Sequence, residues 1–282
     1  MTSLTTLTSL RARRATGNSA FYVTATALAI LFLAPLVWSG FSSVYGPDAG
    51  GGTTGFGLDN YQRLARYGAG LGRYATNSII VSVISVLGTL VVTVLGGYAL
   101  ARFTFPGKNL LFLGALAILM IPHPTILIPL YTLLGYAGLQ NSLLGVALVM
   151  IMFQLPFGLF MMRNAFDAIP RELEEAALLD GCTSFGALRR VLLRAATPAM
   201  VTVGMFAFLA SWNEFLTPLI FLTQGQNFTL PIALVSLRSG EMGAVDLGAL
   251  QAGIVVTAIP CILIFTLLPR HYVRGITSGA LR

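Results

Sequence analysis

Charge is what this chain has least of. Only 10% of its 282 residues are Asp, Glu, Lys or Arg, with ten acids against seventeen bases. Two histidines and two cysteines leave little from which to build a metal centre. Cys182 lies in a polar central stretch and Cys261 inside an apolar run, with no metal-ligand spacing and no expectation of a disulfide between them. No Gly-x-x-x-x-Gly-Lys-Ser/Thr segment occurs, so the chain lacks the usual phosphate loop and is not expected to bind or hydrolyse ATP itself. A zinc signature and a nucleophile–base set are missing too. Nothing here points to an enzyme acting alone.

What the chain has instead is apolar length. Hydrophobic residues make up 56% of it, and several windows exceed the roughly 18 apolar residues that a membrane-spanning helix needs. Six runs stand out, at residues 21–41, 77–101, 109–131, 142–163, 197–223 and 249–269. Backbone left unpaired in lipid is costly, so each is expected to be helical. The fold class is therefore an all-α, six-span membrane protein in a lipid bilayer. Residues 1–20 form a polar Thr-, Ser- and Arg-rich tail. The run that follows is longer than a usual signal core and reads as a retained first span. Residues 21–282 then form one transmembrane domain, with no internal repeat and no second soluble domain.

Orientation follows from the bases. With six spans, the two termini share a side with the loops near 102–108 and 164–196. That side collects thirteen Lys and Arg residues, against four (Arg63, Arg66, Arg73 and Arg238) on the other. Basic loops face the cytoplasm, so both termini are expected there. The net charge of +7 reflects this bias and anionic lipid, not nucleic acid. On the outer side, residues 42–76 are Gly-rich, and residues 224–248 are polar with Pro231 and Gly240.

Pro122, Pro124 and Pro129 crowd the third run. Proline removes a backbone donor, so the helix is expected to kink or end near Ile121. A broken helix lining a transport path and a plain helix end both fit. Glu214 is an acid inside the fifth run, where a carboxylate should face the bundle interior or a wet cavity. It lines a path together with Trp212 and Asn213, or it is a structural acid bonded to a neighbour. His123, between two prolines, is either a pH-sensitive group or a polar residue at a helix end.

The densest charge lies in the central loop, residues 164–196. Pro170 suits a first helical turn, and Glu172, Glu174 and Glu175 follow where the helix dipole favours anions. Gly181 suits the left-handed residue that closes such a helix. Thr183 or Ser184 can cap a second helix, with Arg189, Arg190 and Arg194 toward its C-terminal end. Leu173, Ala176, Ala177 and Asp180 share one helical face, small enough to admit another protein's backbone. A loop helix that merely connects two spans, and a docking helix for a soluble subunit, are the two readings.

Glu175-Ala176-Ala177, three residues, then Gly181 resembles the EAA loop of ATP-binding-cassette importer permeases. Val191-Leu192-Leu193 matches the hydrophobic part of that motif, and the later Pro198 is present. Arg194 stands where the family usually has proline. Asp59-Asn60-Tyr61, Asn77-Ser78, Tyr98-Ala99-Leu100-Ala101-Arg102-Phe103, Phe105-Pro106-Gly107, Ile128-Pro129-Leu130-Tyr131, Ser211-Trp212-Asn213-Glu214 and the ending at residues 275–280 resemble its carbohydrate, maltose-type branch.

The resemblance implies a type I importer permease in a bacterial or archaeal cell membrane. It implies a second permease subunit, a dimer of ATP-binding subunits and an extracytoplasmic sugar-binding protein as partners. ATP and Mg2+ would sit on the ATPase, with no cofactor on this chain. Glu175, Ala176, Ala177, Asp180 and Gly181 would couple to that ATPase. Residues 224–248 would reach into the binding protein's cleft, and the C-terminal tail would lie near the ATPase interface. Sugars or oligosaccharides are the implied substrates, with a phosphorylated polyol as an alternative. A proton-coupled transporter using Glu214 and His123 is the competing class.

Overall fold

The computed structural model describes residues 3–47, 54–239 and 246–267, with side chains only from residue 21 on. Residues 240–245 of the polar 224–248 segment and the ending at 275–280 lie outside the described residues. In chain order the elements are α1 (Ser3–Val44), a hairpin of β1 (Tyr45–Pro47) and β2 (Thr54–Phe56), α2 (Asp59–Arg66), α3 (Leu71–Arg102) and α4 (Lys108–Ala117). A 3-10 turn, Ile118–Met120, extends α4. Then come α5 (His123–Tyr136), α6 (Leu143–Asp167), α7 (Arg171–Leu179), α8 (Ser184–Ala187), α9 (Leu193–Trp212), α10 (Leu216–Phe221), α11 (Leu230–Ser239) and α12 (Leu247–Leu267).

Five helical stretches are long and apolar enough to cross a membrane: Phe21–Val44, Leu71–Arg102, Leu143–Asp167, Ser184–Trp212 and Leu247–Leu267. The proline-rich third run is two helices. Lys108–Met120 and His123–Tyr136 meet at 109°, with Ile121 and Pro122 both extended at the corner. Ile121 adopts the conformation that a following proline imposes. The fifth run differs from its expected extent in two ways. Its helix begins in the central loop, at Ser184, and it stops at Trp212, with α10 following after a break.

The chain divides into two compact units, residues 1–64 with 246–256 and residues 65–245 with 257–282. In the first, Asn60 is buried and its Nδ2 donates to Ser42 O (3.2 Å) and Ser43 O (2.9 Å). Arg63 pairs with Asp246 at 2.6 Å. The side chains of residues 21–38 in α1 are all exposed.

In the second unit α3 is the hub, packing along both α6 and α9. Its buried face carries Ser78, Ser82, Ser85, Thr89, Thr93 and Gly97. Small residues at these spacings let two helices approach closely, the usual means of packing where lipid removes the hydrophobic drive between helices. At Gly97 the backbones themselves come close, since a Cβ there would sit 2.6 Å from Met162 Cβ and 3.0 Å from Arg163 N. One apolar cluster, around Val81, Leu127, Met150, Phe221 and Ile232, joins α3, α5, α6, α10 and α11. A second, around Val94, Tyr98, Met162, Phe166, Leu188 and Leu192, lies toward the C-terminal end of α3 and holds the central loop.

Candidate functional site

The central loop folds as helix, tight turn, helix. Pro170 precedes α7 with φ −54° and ψ 137°, the preset geometry of an entry residue, and Glu172 and Glu174 fall in the first turn. The end of α7 is closed by two reversed bonds. Gly181 N–H donates to Leu178 O (3.0 Å) and Cys182 N–H to Ala177 O (3.0 Å), with Gly181 at φ +84°. This is the Schellman motif, which satisfies carbonyls that a helix end leaves orphaned. Thr183 Oγ1 then accepts from Gly186 N–H (3.1 Å) and caps α8.

The second helix does not end near the arginines. It passes through a π-turn, Leu188–Leu192, in which Leu193 N–H reaches back to Leu188 O, and continues into α9. The arginines therefore lie along a continuous helix, and the π-turn forms with arginine, not proline, at position 194. Leu188 and Leu192 are buried, whereas Arg189, Arg190 and Arg194 are exposed.

The expected face of Leu173, Ala176, Ala177 and Asp180 is divided by the packing. Ala177 is the buried residue of α7, while Leu173, Ala176 and Asp180 are exposed with Glu175. Leu179 is 89% exposed, and Leu178 and Phe185 are uncovered as well. The loop thus presents apolar side chains flanked by carboxylates on a backbone fixed by its own turn.

Glu174 points the other way. Tyr98 Oη donates to its Oε1 (2.6 Å), and Arg102 Nε lies 3.1 Å from its Oε2. Both charged side chains are nearly out of solvent, 6% exposed for Arg102 and 14% for Glu174. Arg102 Nε has no aligned acceptor, so that contact is an ion pair without a directed hydrogen bond. Arg102 Nη2 donates to Ile169 O (2.8 Å), and Tyr98 Oη also approaches Ser184 O (3.3 Å). The sequence reading passed over these partners. The available signal was an i, i+4 Tyr–Arg pair at the end of an apolar run.

Trp212, Asn213 and Glu214 mark the break between α9 and α10. Trp212 is buried, stacks on Phe208 and donates from Nε1 to Thr257 O (3.0 Å). Asn213 is exposed, with Nδ2 on Leu209 O (2.8 Å). Glu214 Oε1 accepts from Thr217 N–H (2.8 Å) and Thr217 Oγ1 (3.0 Å), which satisfies a free donor in the first turn of α10. His123 is exposed at the start of α5 and stacks on Phe153 at 4.2 Å.

The segment after α10 is more ordered than its polarity implied. Asn141, at φ +52°, accepts on Oδ1 from the N–H groups of Thr223 (3.0 Å) and Gln224 (3.1 Å). Asn77 Nδ2 donates to Gln226 O and Phe228 O (both 2.9 Å), and Ser78 Oγ accepts from Leu230 N–H (2.9 Å). The following α11 buries Leu230, Ile232, Ala233, Leu234 and Leu237. Pro231 in its first turn, ahead of an apolar run, was the overlooked signal.

Residues 92–278 match the family described as binding-protein-dependent transport system inner membrane component. The chain is 35% identical over 219 residues to the probable ABC transporter permease protein YurM of Bacillus subtilis, covering 78% of this chain and 72% of that one. It is 34% identical over 232 residues to the diacetylchitobiose uptake system permease protein NgcG of Streptomyces coelicolor (80% and 77% covered). To the trehalose transport system permease protein SugB of Mycobacterium tuberculosis it is 33% identical over 225 residues (80% and 82% covered).

The fold is similar to that of a chain of a bacterial ABC transporter involved in the import of the acidic polysaccharide alginate. The TM-score is 0.77 at 20% identity, covering 93% of this chain and 98% of that one. With more than half of its length matched by the family and relatives above 30% identity along most of it, this chain belongs to the inner membrane components of binding-protein-dependent ABC transport systems.

Proposed function

We propose that this chain is the permease subunit of an ATP-driven importer of sugars or oligosaccharides. It forms half of the translocation path beside a second permease subunit and couples through residues 170–194 to a dimer of ATP-binding subunits. The observation that carries the reading is the outward face of α7. Leu179, Leu173 and Ala176 are uncovered beside Glu175 and Asp180, on a helix whose turn is already satisfied internally. An apolar patch rimmed by charge is the usual mark of a protein–protein contact.

Glu175, Ala176 and Asp180 contact the ATPase in this reading, Ala177 backs the helix, and Gly181 sets its end. ATP and Mg2+ bind on the partner. ATP binding draws the two ATPase subunits together and displaces α7 in each permease; hydrolysis resets it. Both termini share the cytoplasmic side with α7, and an extracytoplasmic binding protein delivers sugar from the other. The sugar class is supported by relatives named for diacetylchitobiose, arabinooligosaccharides and trehalose. Asn213, exposed at the break, is the member of the Trp212–Glu214 group best suited to line the path. A proton relay gains no support from Glu214 and His123, since no hydrogen bond or ion pair joins them and each is engaged elsewhere.

The test is purification of the tagged chain from its native membrane in mild detergent, with mass spectrometry of what accompanies it. A second permease and an ATPase are expected, and the binding protein is then screened against trehalose, diacetylchitobiose and arabinooligosaccharides. Recovery of this chain alone, transporting in liposomes without ATP, overturns the reading.

A further inference from the structure

Of the residues of α7, one alanine is buried in the bundle and one carboxylate is turned into it. Ala177 supplies a single methyl group, the one side chain of α7 that is buried. The loop's larger buried side chains, Leu188 and Leu192, belong to the π-turn beyond it, and Ile169 to the segment before it. The polar side of the same contact is far more specific. Glu174 engages Tyr98 through one carboxylate oxygen at 2.6 Å and Arg102 through the other at 3.1 Å. Arg102 in turn holds Ile169 O at the entry to α7, and Tyr98 reaches Ser184 O at the start of α8. The two side chains of α3 therefore touch the loop before, within and after the coupling helix.

Tyr98 and Arg102 are one turn apart at the C-terminal end of α3, and α3 is the helix packed along both α6 and α9. A displacement delivered there is passed into the bundle as motion of a whole helix. Separating this nearly buried pair would leave a charge with little water to replace its partner, and the 2.6 Å hydroxyl–carboxylate bond from Tyr98 is directional. That makes it a stiff connection where apolar contact alone would slide.

We propose that Glu174 is a positioning residue that transmits displacement of α7 to α3 through Tyr98 and Arg102, separately from the outward residues that dock the ATPase. The inference rests on the coupling role of α7, and its test separates the two. Glu174→Ala, Tyr98→Phe and the charge swap Glu174→Arg with Arg102→Glu are made in the complete complex, with Glu175→Ala as the docking control. Each complex is reconstituted in liposomes with its binding protein. Import of radiolabelled trehalose, diacetylchitobiose or arabinotriose, whichever the wild-type complex carries, is measured per ATP hydrolysed.

Glu174→Ala is expected to keep its ATPase on purification while import per ATP falls by about tenfold or more. Tyr98→Phe removes one hydroxyl with little risk to the fold, and it is expected to lower the ratio in the same direction. The charge swap is expected to recover part of the loss. An unchanged ratio in Glu174→Ala and Tyr98→Phe overturns the proposal. So does loss of the ATPase from both, which would assign Glu174 to docking or to folding. Glu175→Ala retaining its ATPase undermines instead the docking face on which the proposal rests, and is read independently of the ratio.

Discussion

Gly181 carries the geometry of the turn after α7. A Cβ built there meets nothing within 4 Å, so room is not the constraint; its φ of +84° is. An L-residue in that region pays on the order of 1–2 kcal/mol, more when β-branched. Gly181→Val is therefore expected to open the Schellman closure and misdirect α7 while the chain still inserts, lowering uptake per ATP hydrolysed. Gly181→Asn, which tolerates the left-handed region, should retain most of it. Equal uptake in the wild type and the valine variant would show that the turn does not set coupling. Glu214 poses a different question at the same scale. Its carboxylate serves Thr217 twice, and Glu214→Gln keeps an acceptor but gives up charge, a loss of about 1 kcal/mol. The expected outcome is a lower unfolding temperature with sugar preference unchanged. Altered preference at unchanged stability would make Glu214 a path residue.

The α3–α6 pairing shows why helix existence was easy to read and helix contact was not. Hydropathy alone reports that a segment belongs in lipid, and the runs at 77–101 and 142–163 correspond to the long helices Leu71–Arg102 and Leu143–Asp167. It does not report which face meets which neighbour. The small residues Ser78, Ser82, Ser85, Thr89, Thr93 and Gly97 look unremarkable one by one, yet they form the buried face of α3. The proline break at Ile121 was visible because proline chemistry is local. The extension of the fifth helix back to Ser184 was hidden, because the charged Arg189 and Arg190 interrupt hydropathy without interrupting the backbone. Ala177 was placed on the outward face for a similar reason: helical periodicity groups residues but does not say which side of the group is covered. Glu174 was invisible as an anchor because its partners lie 76 and 72 positions away in the chain, the first separation seen directly in its bond to Tyr98. Packing at Gly97 can be tested directly. Gly97→Leu drives a side chain against Met162 and is expected to cost about 1–3 kcal/mol, lowering the unfolding temperature in detergent. Gly72→Leu, in the first turn of α3 with open space at its Cβ, should shift it little. Matching shifts would mean that helix approach is not what limits position 97.

At the scale of the whole molecule, exposed apolar surface has two different explanations. Along α1 the side chains of residues 21–38 are open all round, as expected of a helix whose solvent is lipid. On α7 the same exposure falls on a short helix outside the apolar runs, beside the exposed acids Glu172, Glu175 and Asp180, where lipid is no explanation. Leu179, at 89% exposure, separates fold from assembly because it contributes almost nothing to the chain's own interior. Burying a leucine side chain in an interface is worth about 1.5–3 kcal/mol, which corresponds to roughly 10- to 150-fold in affinity. Leu179→Asp adds the cost of desolvating a carboxylate to that loss. The variant is expected to insert and unfold like the wild type while its affinity for the ATPase drops by at least tenfold, measured by titrating purified ATPase onto the permease pair in nanodiscs. Leu179→Met, similar in volume and apolar character, should bind nearly as well. Wild-type affinity in Leu179→Asp would leave the outward face of α7 without an ATPase partner, and the acidic loop would then be a connector between spans.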